Sequence, residues 1–306
     1  MARSAKKTYS TGAWLFIAPA LVVLLAVGIA PLIFALWTSF QQFLLPKVHL
    51  KGAFLNVWPI FDAPVVWLSN YRQLLFDQPF HEALGRSLLF LVINLPIQLA
   101  LGTLIALLLH RPGNEWVKNI ARVSLVIPMA TTFAVVGLMG RLLFNNDFGF
   151  NNFVWSRIFG HGIEWLANSQ FAFVSISIMD CWQWTPFCAL VLYSSLTMVP
   201  VEIEEAAQLE TDKWWHVLRK VQLPFLLPGI TAILILRTAD ILKMFDVVYI
   251  MTRGGPGSAT ELISIYIQRI GFRSFDQGMA SAQAIVLLIL TIILSRIYIR
   301  FIYREI

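Results

Sequence analysis

The sequence predicts an all-α membrane protein with six transmembrane helices, and three observations support this fold class. Of the 306 residues, 58% are hydrophobic and only 13% are charged, and the mean hydropathy is +0.71. Soluble domains average about 25% charged residues, so a long chain this apolar belongs in a membrane. The apolar residues also fall into runs of about 20 residues or more, the length that a helix needs to cross a bilayer.

Six apolar runs follow one another along the chain, with polar or turn-forming connections between them. The first run is much longer than the core of a signal peptide, which has about 7–15 residues, so it is expected to be a retained span. Its prolines, Pro19 and Pro31, are tolerated in a spanning helix. We expect one transmembrane domain over residues 1–306. The predicted spans are 14–40, 87–109, 123–144, 171–198, 225–252 and 279–302.

The basic residues predict which side of the membrane each connection faces. Lys and Arg are densest in the terminal tails and in the short connections after the second and fourth spans, where Arg111, Lys118 and Lys213 lie. Short loops rich in Lys and Arg stay on the cytoplasmic side. Both termini and the connection after the fourth span are therefore expected in the cytoplasm.

The charges and the rarer residue types exclude several classes of function. The net charge of +6 is carried by residues that flank the spans, which argues against a nucleic-acid partner. Cys181 and Cys188 lie in one apolar block and indicate buried thiols. The histidines lack metal-ligand spacing, and no Walker A, H-E-x-x-H or G-x-S-x-G motif occurs. We expect no catalytic residue, metal site or cofactor on this chain.

The longest strongly polar stretch between two apolar blocks is 200–224, which we call the elbow. Its residues favour two short helices, 202–209 and 213–221, with a break between them. Its acids, its small Ala206-Ala207 pair and its two tryptophans would let another protein approach closely and bind. The same composition also fits a solvated loop whose tryptophans lie in the lipid interface.

The elbow resembles the EAA motif of bacterial ABC importer permeases, a cytoplasmic helical segment that docks onto the ATPase subunit. Glu205-Ala206-Ala207 matches its opening, and Val221-Gln222-Leu223-Pro224 matches its close. Thr211 and Asp212 replace the Gly and Ala of the family, and Gly permits a tight turn with positive φ that Thr adopts poorly. The ATPase-coupling residues implied by the resemblance are Glu204, Glu205, Ala206, Ala207, Glu210, Thr211, Leu223 and Pro224.

Three other stretches resemble the same family, so the similarity covers nearly the whole chain. The run from Asp180 to Phe187 resembles the D-x-W-x-x-x-P-F stretch of the fourth core helix. The run from Phe245 to Gly257 is similar to a segment ending in T-x-G-G-P-G that is typical of the MalF-like carbohydrate branch. Phe16-Ile17-Ala18-Pro19-Ala20 resembles the first span of that branch.

The resemblance implies a MetI-like permease fold with a cytoplasmic coupling helix, in the bacterial inner membrane. It implies a permease subunit of a binding-protein-dependent ABC importer for a sugar or sugar-like polyhydroxyl solute. The expected partners are a second, homologous permease, two ATPase subunits and an extracytoplasmic solute-binding protein. ATP and Mg would be bound by the ATPase subunits, so this chain would not be an enzyme. A mono- or disaccharide, a polyol, glycerol phosphate and a sulfonated sugar all remain open.

Charged residues inside the predicted fifth span are candidates for the translocation path. Arg237, Asp240, Lys243 and Asp246 are spaced three residues apart, which would place them on one slowly turning stripe. Arg237 lies about 12 residues into the span, roughly 18 Å deep, where charges either pair or line a polar path. The alternatives are contact with a polyhydroxyl solute, or two structural pairs, Arg237–Asp240 and Lys243–Asp246, that fix helix packing.

Asp180, Gln183 and Trp184 in the fourth span are further candidates for the path, because aromatic and amide groups suit sugar rings. Interfacial anchoring is the alternative for the tryptophan. Two other classes of function also compete. A self-sufficient secondary carrier would need no ATPase, although the sequence shows no internal repeat. A membrane-embedded enzyme acting on lipid or polyprenyl substrates would need acids or histidines clustered at an interface, and the acid cluster lies on the elbow instead.

Overall fold

The computed structural model describes residues 11–44, 63–211 and 213–302, apart from the side chains of 11–15 and Gln208. Residues 1–10, 45–62 and 303–306 and Asp212 lie outside the described residues. Within the described part, helices form nearly all regular structure, and the β-pairs there are two isolated bridges, Gln41 to Val65 and Leu44 to Asp276. The predicted all-α fold class is confirmed.

The helices are numbered here in chain order, and short π-helical turns interrupt or extend some of them. The helices are α1 Thr11–Val23, α2 Ala30–Ser39, α3 Ser69–Leu74, α4 Gln78–His110, α5 Glu115–Ala130, α6 Phe133–Leu143, α7 Phe150–Phe159, α8 Ser169–Leu196, α9 Val201–Glu210, α10 Trp214–Val217, α11 Leu223–Leu242, α12 Asp246–Met251, α13 Ile263–Gln268 and α14 Gln277–Ile302. The π-helical turns are Leu24–Ile29, Leu218–Gln222 and Arg269–Arg273.

The lengths and hydropathies of these helices account for up to six membrane spans. Four stretches in the described chain are long and apolar enough by themselves, and they are Phe16–Ser39, Gln78–His110, Trp214–Leu242 and Gln277–Ile302. Two more qualify as bent pairs. The helices α5 and α6 meet at 94°, and α8 meets the first part of α9 at 88°. Counting each bent pair as one span gives six candidates in the described chain, by length and composition.

Of the six predicted spans, the third and the fifth are not single helices. The third, 123–144, is broken between α5 and α6, where Thr131 and Thr132 have extended backbone. Pro128 lies just before this break and cannot donate a backbone hydrogen bond.

The second predicted span, 87–109, begins earlier than expected, at Gln78, because Asp77 caps α4 by accepting a hydrogen bond from Phe80 N.

The fifth predicted span, 225–252, is also wrong as one helix, because α11 ends at Leu242 and α12 begins at Asp246. Met244 N donates to the Ile241 carbonyl at 3.1 Å, a three-residue closure that is common at helix ends. The side chain of Lys243 is 72% exposed. Ending the helix at this point keeps a solvated ammonium out of the apolar packing.

The chain divides into two compact units. The smaller takes its described residues from Met1–Phe76 and Gln268–Val286. Within it, the Asn70 side-chain amide donates to the carbonyls of Ser39 and Gln41, at 2.9 Å in each case. These bonds hold the chain that leaves α2 against α3.

The larger unit, with described residues from Asp77–Ile267 and Leu287–Ile306, contains the main apolar core. Its central contact is between α4 and α8, which pack along much of their length. Gly102 of α4 lies where the two helices approach most tightly. A Cβ atom there would lie 2.6 Å from Cys188 Cβ and 3.0 Å from Ala189 N, which is too close for any side chain.

We expect Gly102→Ala to destabilise the protein by about 1–3 kcal/mol, because the added methyl would push α8 away from α4. Gly85→Ala is the matched control on the same helix, since a Cβ there meets nothing within 4 Å. That control is expected to be neutral or stabilising by up to about 1 kcal/mol. Thermal unfolding in detergent measures both. Equal midpoints for the two variants would show that the contact at Gly102 is not tight.

Candidate functional site

The elbow is built from α9, α10 and the π-helical turn that precedes α11. Between α9 and α10, Thr211 has φ −154° and ψ 131°. This is extended backbone that Thr adopts without strain. The Thr at the position of the motif's Gly therefore requires no left-handed conformation.

The second helix of the elbow, predicted as 213–221, does not end before the next span. Trp214–Leu242 is one continuous helical stretch, so Leu223 and Pro224 lie inside it. Leu223 N donates to the Leu218 carbonyl, five residues back, as the π-helical turn closes. Pro224 follows in the first turn of α11, where its missing N–H is tolerated. The elbow is thus continuous with the helix that carries Arg237.

Glu204 is bound within the protein, whereas Glu205 and Glu210 of the elbow are exposed. His110 Nε2 lies 3.0 Å from Glu204 Oε2 and 3.1 Å from Oε1, and the Gln222 side-chain amide donates to Oε1. Both members of the His110–Glu204 pair are largely buried. Since His110 ends α4, this carboxylate connects α4, α9 and the π-helical turn.

Three other acids of the elbow, Glu202, Glu205 and Glu210, lie on an exposed surface together with apolar side chains. Glu205, Ala206 and Glu210 are exposed, and Ala207 is half-buried. Leu209 is 90% exposed, and Trp214 and Trp215 are also exposed. Apolar and aromatic groups placed beside carboxylates in this way are typical of a surface that binds another protein.

A cavity of about 230 Å³ lies between α8, α11 and the connection from α11 to α12. It brings together all of the residues predicted for the translocation path. These are Asp180, Gln183, Trp184, Arg237, Asp240, Lys243 and Asp246. Phe133, at the start of α6, adds an aromatic wall beside Trp184, with ring centroids 6.0 Å apart.

The central charge of the cavity is Arg237, whose side chain is 1% exposed. Its Nη2 donates to both carboxylate oxygens of Asp180 at 2.9 Å, and its Nε donates to Gln98 Oε1 at 3.0 Å. Gln98 Nε2 in turn donates to Asp180 Oδ2 at 2.7 Å. The guanidinium carbon lies 4.6 Å from the centre of the Trp184 ring. Because its partners lie on α4 and α8 and Arg237 itself lies on α11, three helices position this buried charge.

Of the two predicted structural pairs, Arg237–Asp240 is present as a long contact and Lys243–Asp246 is not. Lys243 Nζ lies 2.9 Å from Asp240 Oδ1, and Asp240 Oδ2 lies 3.9 Å from Arg237 Nη1. The predicted Lys243–Asp246 pair is absent, and Asp246 takes part in none of the ion pairs within the described residues. Its carboxylate is exposed at the cavity.

Gln183 gives the cavity an unused hydrogen-bond acceptor. Its residue is 2% exposed, and its Nε2 donates to the Thr131 carbonyl at 3.0 Å. Its Oε1 is buried and has no partner. Buried polar atoms are nearly always satisfied, so an orphan acceptor at a cavity is a candidate ligand contact. In the part of the chain that the structure describes, no group of His, Cys, Asp and Glu could hold a metal ion.

Sequence reasoning missed two residues of these sites. Gln98 lies in the second span, and an amide inside an apolar run is a signal of the same kind as a buried charge. His110 follows that span, and nothing in the spacing of the histidines along the sequence marks it as functional. Its value as the partner of Glu204 depends on a contact across 94 residues, which spacing along the chain does not reveal.

Comparison with known proteins identifies the class to which this architecture belongs. Residues 98–306 match the family described as the binding-protein-dependent transport system inner membrane component. A probable ABC transporter permease protein of Sinorhizobium fredii is 31% identical over 273 residues, which cover 89% of this chain and 84% of that protein. The trehalose/maltose transport system permease protein MalF of Thermococcus litoralis is 30% identical over 292 residues, covering 94% of this chain and 92% of that protein.

A solved structure has the same fold. It is a bacterial ABC transporter involved in the import of the acidic polysaccharide alginate, with a TM-score of 0.80, 17% identity, and coverage of 96% of both chains. The protein is a multi-pass membrane component of a transport system. The chain belongs to the family of binding-protein-dependent transport system inner membrane components, and the predicted identity as an ABC importer permease is confirmed.

Proposed function

We propose that this chain forms half of the translocation path of a carbohydrate ABC importer and couples to an ATPase subunit through the exposed face of the elbow. The observation that carries the proposal is the cavity, where two aromatic rings and an orphan amide oxygen meet several charged groups. Aromatic faces accommodate the C–H surfaces of a sugar ring. Carboxylate and amide oxygens accept hydrogen bonds from its hydroxyl groups.

The proposed assembly contains a second, homologous permease, two ATPase subunits and an extracytoplasmic solute-binding protein. ATP and Mg belong to the ATPase subunits. We place both termini and the elbow in the cytoplasm, following the distribution of Lys and Arg. ATP would drive transport by binding one conformation of the complex better than the other. The elbow would pass that change to α11, with which it is continuous.

The similar proteins support a carbohydrate solute but differ in its charge. The Thermococcus litoralis protein is named for trehalose and maltose. The structurally similar transporter imports alginate, an acidic polysaccharide. The comparisons therefore support the carbohydrate class and leave the charge of the solute open.

We expect Glu205→Lys to weaken binding of the ATPase subunits about a hundredfold, because reversing a charge at a docking surface costs several kcal/mol. The chain is expressed with its neighbouring genes and purified by a tag, and the co-purified ATPase and sugar-stimulated ATP hydrolysis are measured. Glu115→Lys makes the same charge change at another exposed carboxylate on the same predicted side of the membrane. It is expected to leave both quantities unchanged.

The same preparation tests the function itself. Sugar-stimulated ATP hydrolysis by a complex with the binding protein is the expected result. A chain that purifies alone and moves solute under an ion gradient would be a secondary carrier, and the proposal would be wrong. Full ATPase binding by Glu205→Lys would contradict the docking role of the elbow while leaving the transport function standing.

A further inference from the structure

The cavity at α8 and α11 is lined by five charged side chains, whose pairing bears on the charge of the solute that it can accept. Resting on the proposed function, we infer that it accepts uncharged carbohydrate and disfavours sugars that carry carboxylate, sulfonate or phosphate groups. Three residues determine this specificity. Asp246 contributes an unpaired negative charge, Asp180 neutralises Arg237, and Asp240 neutralises Lys243. Both cations of the cavity are already paired with carboxylates, and Asp246 takes part in none of the ion pairs within the described residues.

Both cations of the cavity are neutralised by carboxylates. Arg237 donates to both oxygens of Asp180 and to Gln98, and it lies over the ring of Trp184. Lys243 is paired with Asp240 at 2.9 Å. With Asp246 added, the lining contains three carboxylates against two cations. The cavity therefore has an excess negative charge.

An anionic solute would meet two obstacles in such a cavity. It would be repelled by Asp246, whose carboxylate takes part in no ion pair within the described residues. To reach Arg237, it would have to displace Asp180, which is also buried. Displacement would leave a buried carboxylate without its cation, an arrangement that is strongly unfavourable.

A neutral polyhydroxyl solute meets neither obstacle, because its hydroxyl groups can donate to acceptors that the protein leaves available. The Gln183 Oε1 atom is buried and lacks any donor. The exposed carboxylate of Asp246 offers further acceptor positions. Trp184 and Phe133 supply the apolar wall. A neutral solute would make all three kinds of contact without separating any of the ion pairs.

The charge of the cavity can be measured without knowing the solute. Met244 lines the cavity and is replaced by cysteine in a Cys181→Ser/Cys188→Ala background, within the assembled complex. Reaction rates are measured with a cationic and an anionic methanethiosulfonate of similar size, with and without ATP and vanadate. Each rate is divided by the rate of the same reagent with a free thiol in solution. The cationic reagent is expected to be favoured on the order of tenfold, as one nearby unit charge requires.

Asp246→Asn is expected to remove most of that preference. Asp147→Asn, at an exposed carboxylate outside the cavity lining, is the matched control and should keep it. Equal or faster reaction of the anionic reagent would overturn the inference. So would failure of both reagents to react in a complex that hydrolyses ATP, because the cavity would then be closed to solutes.

The result is separable from the fate of the proposed function. The reagent preference reports the electrostatics of the cavity even if the complex transports no sugar. Conversely, sugar-stimulated ATP hydrolysis together with an anion-preferring cavity would uphold the function and reject the charge selectivity.

Discussion

Replacing Arg237 with leucine is expected to destabilise the protein by about 3–5 kcal/mol, because Asp180 would remain as a buried carboxylate without its cation. The Arg237 side chain is 1% exposed, and that of Asp180 is 3% exposed. Neither group can recover solvation when the other is lost. Thermal unfolding in detergent is the measurement, with Lys243→Leu as the control. That control breaks an ion pair at a largely exposed ammonium, which is worth about 0–1 kcal/mol.

The double variant Arg237→Leu/Asp180→Leu distinguishes the two roles of this pair. Removing both charges together should recover much of the stability, because well-packed apolar groups often replace a buried pair without loss. If the stable double variant still transports sugar, the pair serves packing alone. If it is stable and inactive, the pair is also part of the solute path. A Tm for Arg237→Leu equal to that of Lys243→Leu would show that the pair is not buried in the protein.

Much of the fold could be predicted because long apolar runs leave few alternatives in a bilayer. The two breaks in the predicted spans could not. A proline at position 128 is equally compatible with a kinked continuous helix, and only the extended backbone of Thr131 and Thr132 separates α5 from α6. The end of α11 coincides with the exposed Lys243, and exposure is a property of the surrounding helices and not of the local sequence.

The candidate cavity was predicted more fully than the ion pairs within it. Charged and aromatic residues in otherwise apolar spans indicate a polar interior, and the structure brings all of those residues to one cavity. Spacing along one helix favours neighbours three residues apart. The predicted Arg237–Asp240 pair is present at 3.9 Å, whereas the predicted Lys243–Asp246 pair is wrong, because Lys243 pairs with Asp240. The strongest partner of Arg237 is Asp180, across 57 residues. The partner of a buried charge is decided by helix packing, to which a single sequence gives little access.

The contact between His110 and Glu204 leads to the second large expected effect. We expect His110→Ala to lower sugar-stimulated ATP hydrolysis and transport about tenfold, with ATPase binding retained. A hydrogen bond to a charged group is worth about 1.5–3 kcal/mol, and this one joins the end of α4 to the elbow. Without it, movement of the elbow would reach α11 but would no longer be passed directly to α4. Glu205 and Ala206 remain exposed for docking.

Two variants separate a mechanical role of His110 from a general loss of structure. His110→Gln keeps a donor facing Glu204 and should restore most of the coupling. His161→Ala removes an exposed histidine whose Nδ1 lies 3.0 Å from the nearby carbonyl of Phe159, and it should have no effect. Loss of ATPase binding in His110→Ala, to the extent seen with Glu205→Lys, would mean that the contact shapes the docking surface. Unchanged coupling would mean that the connections of the elbow along the chain, to α8 and to α11, transmit the movement without the contact to α4.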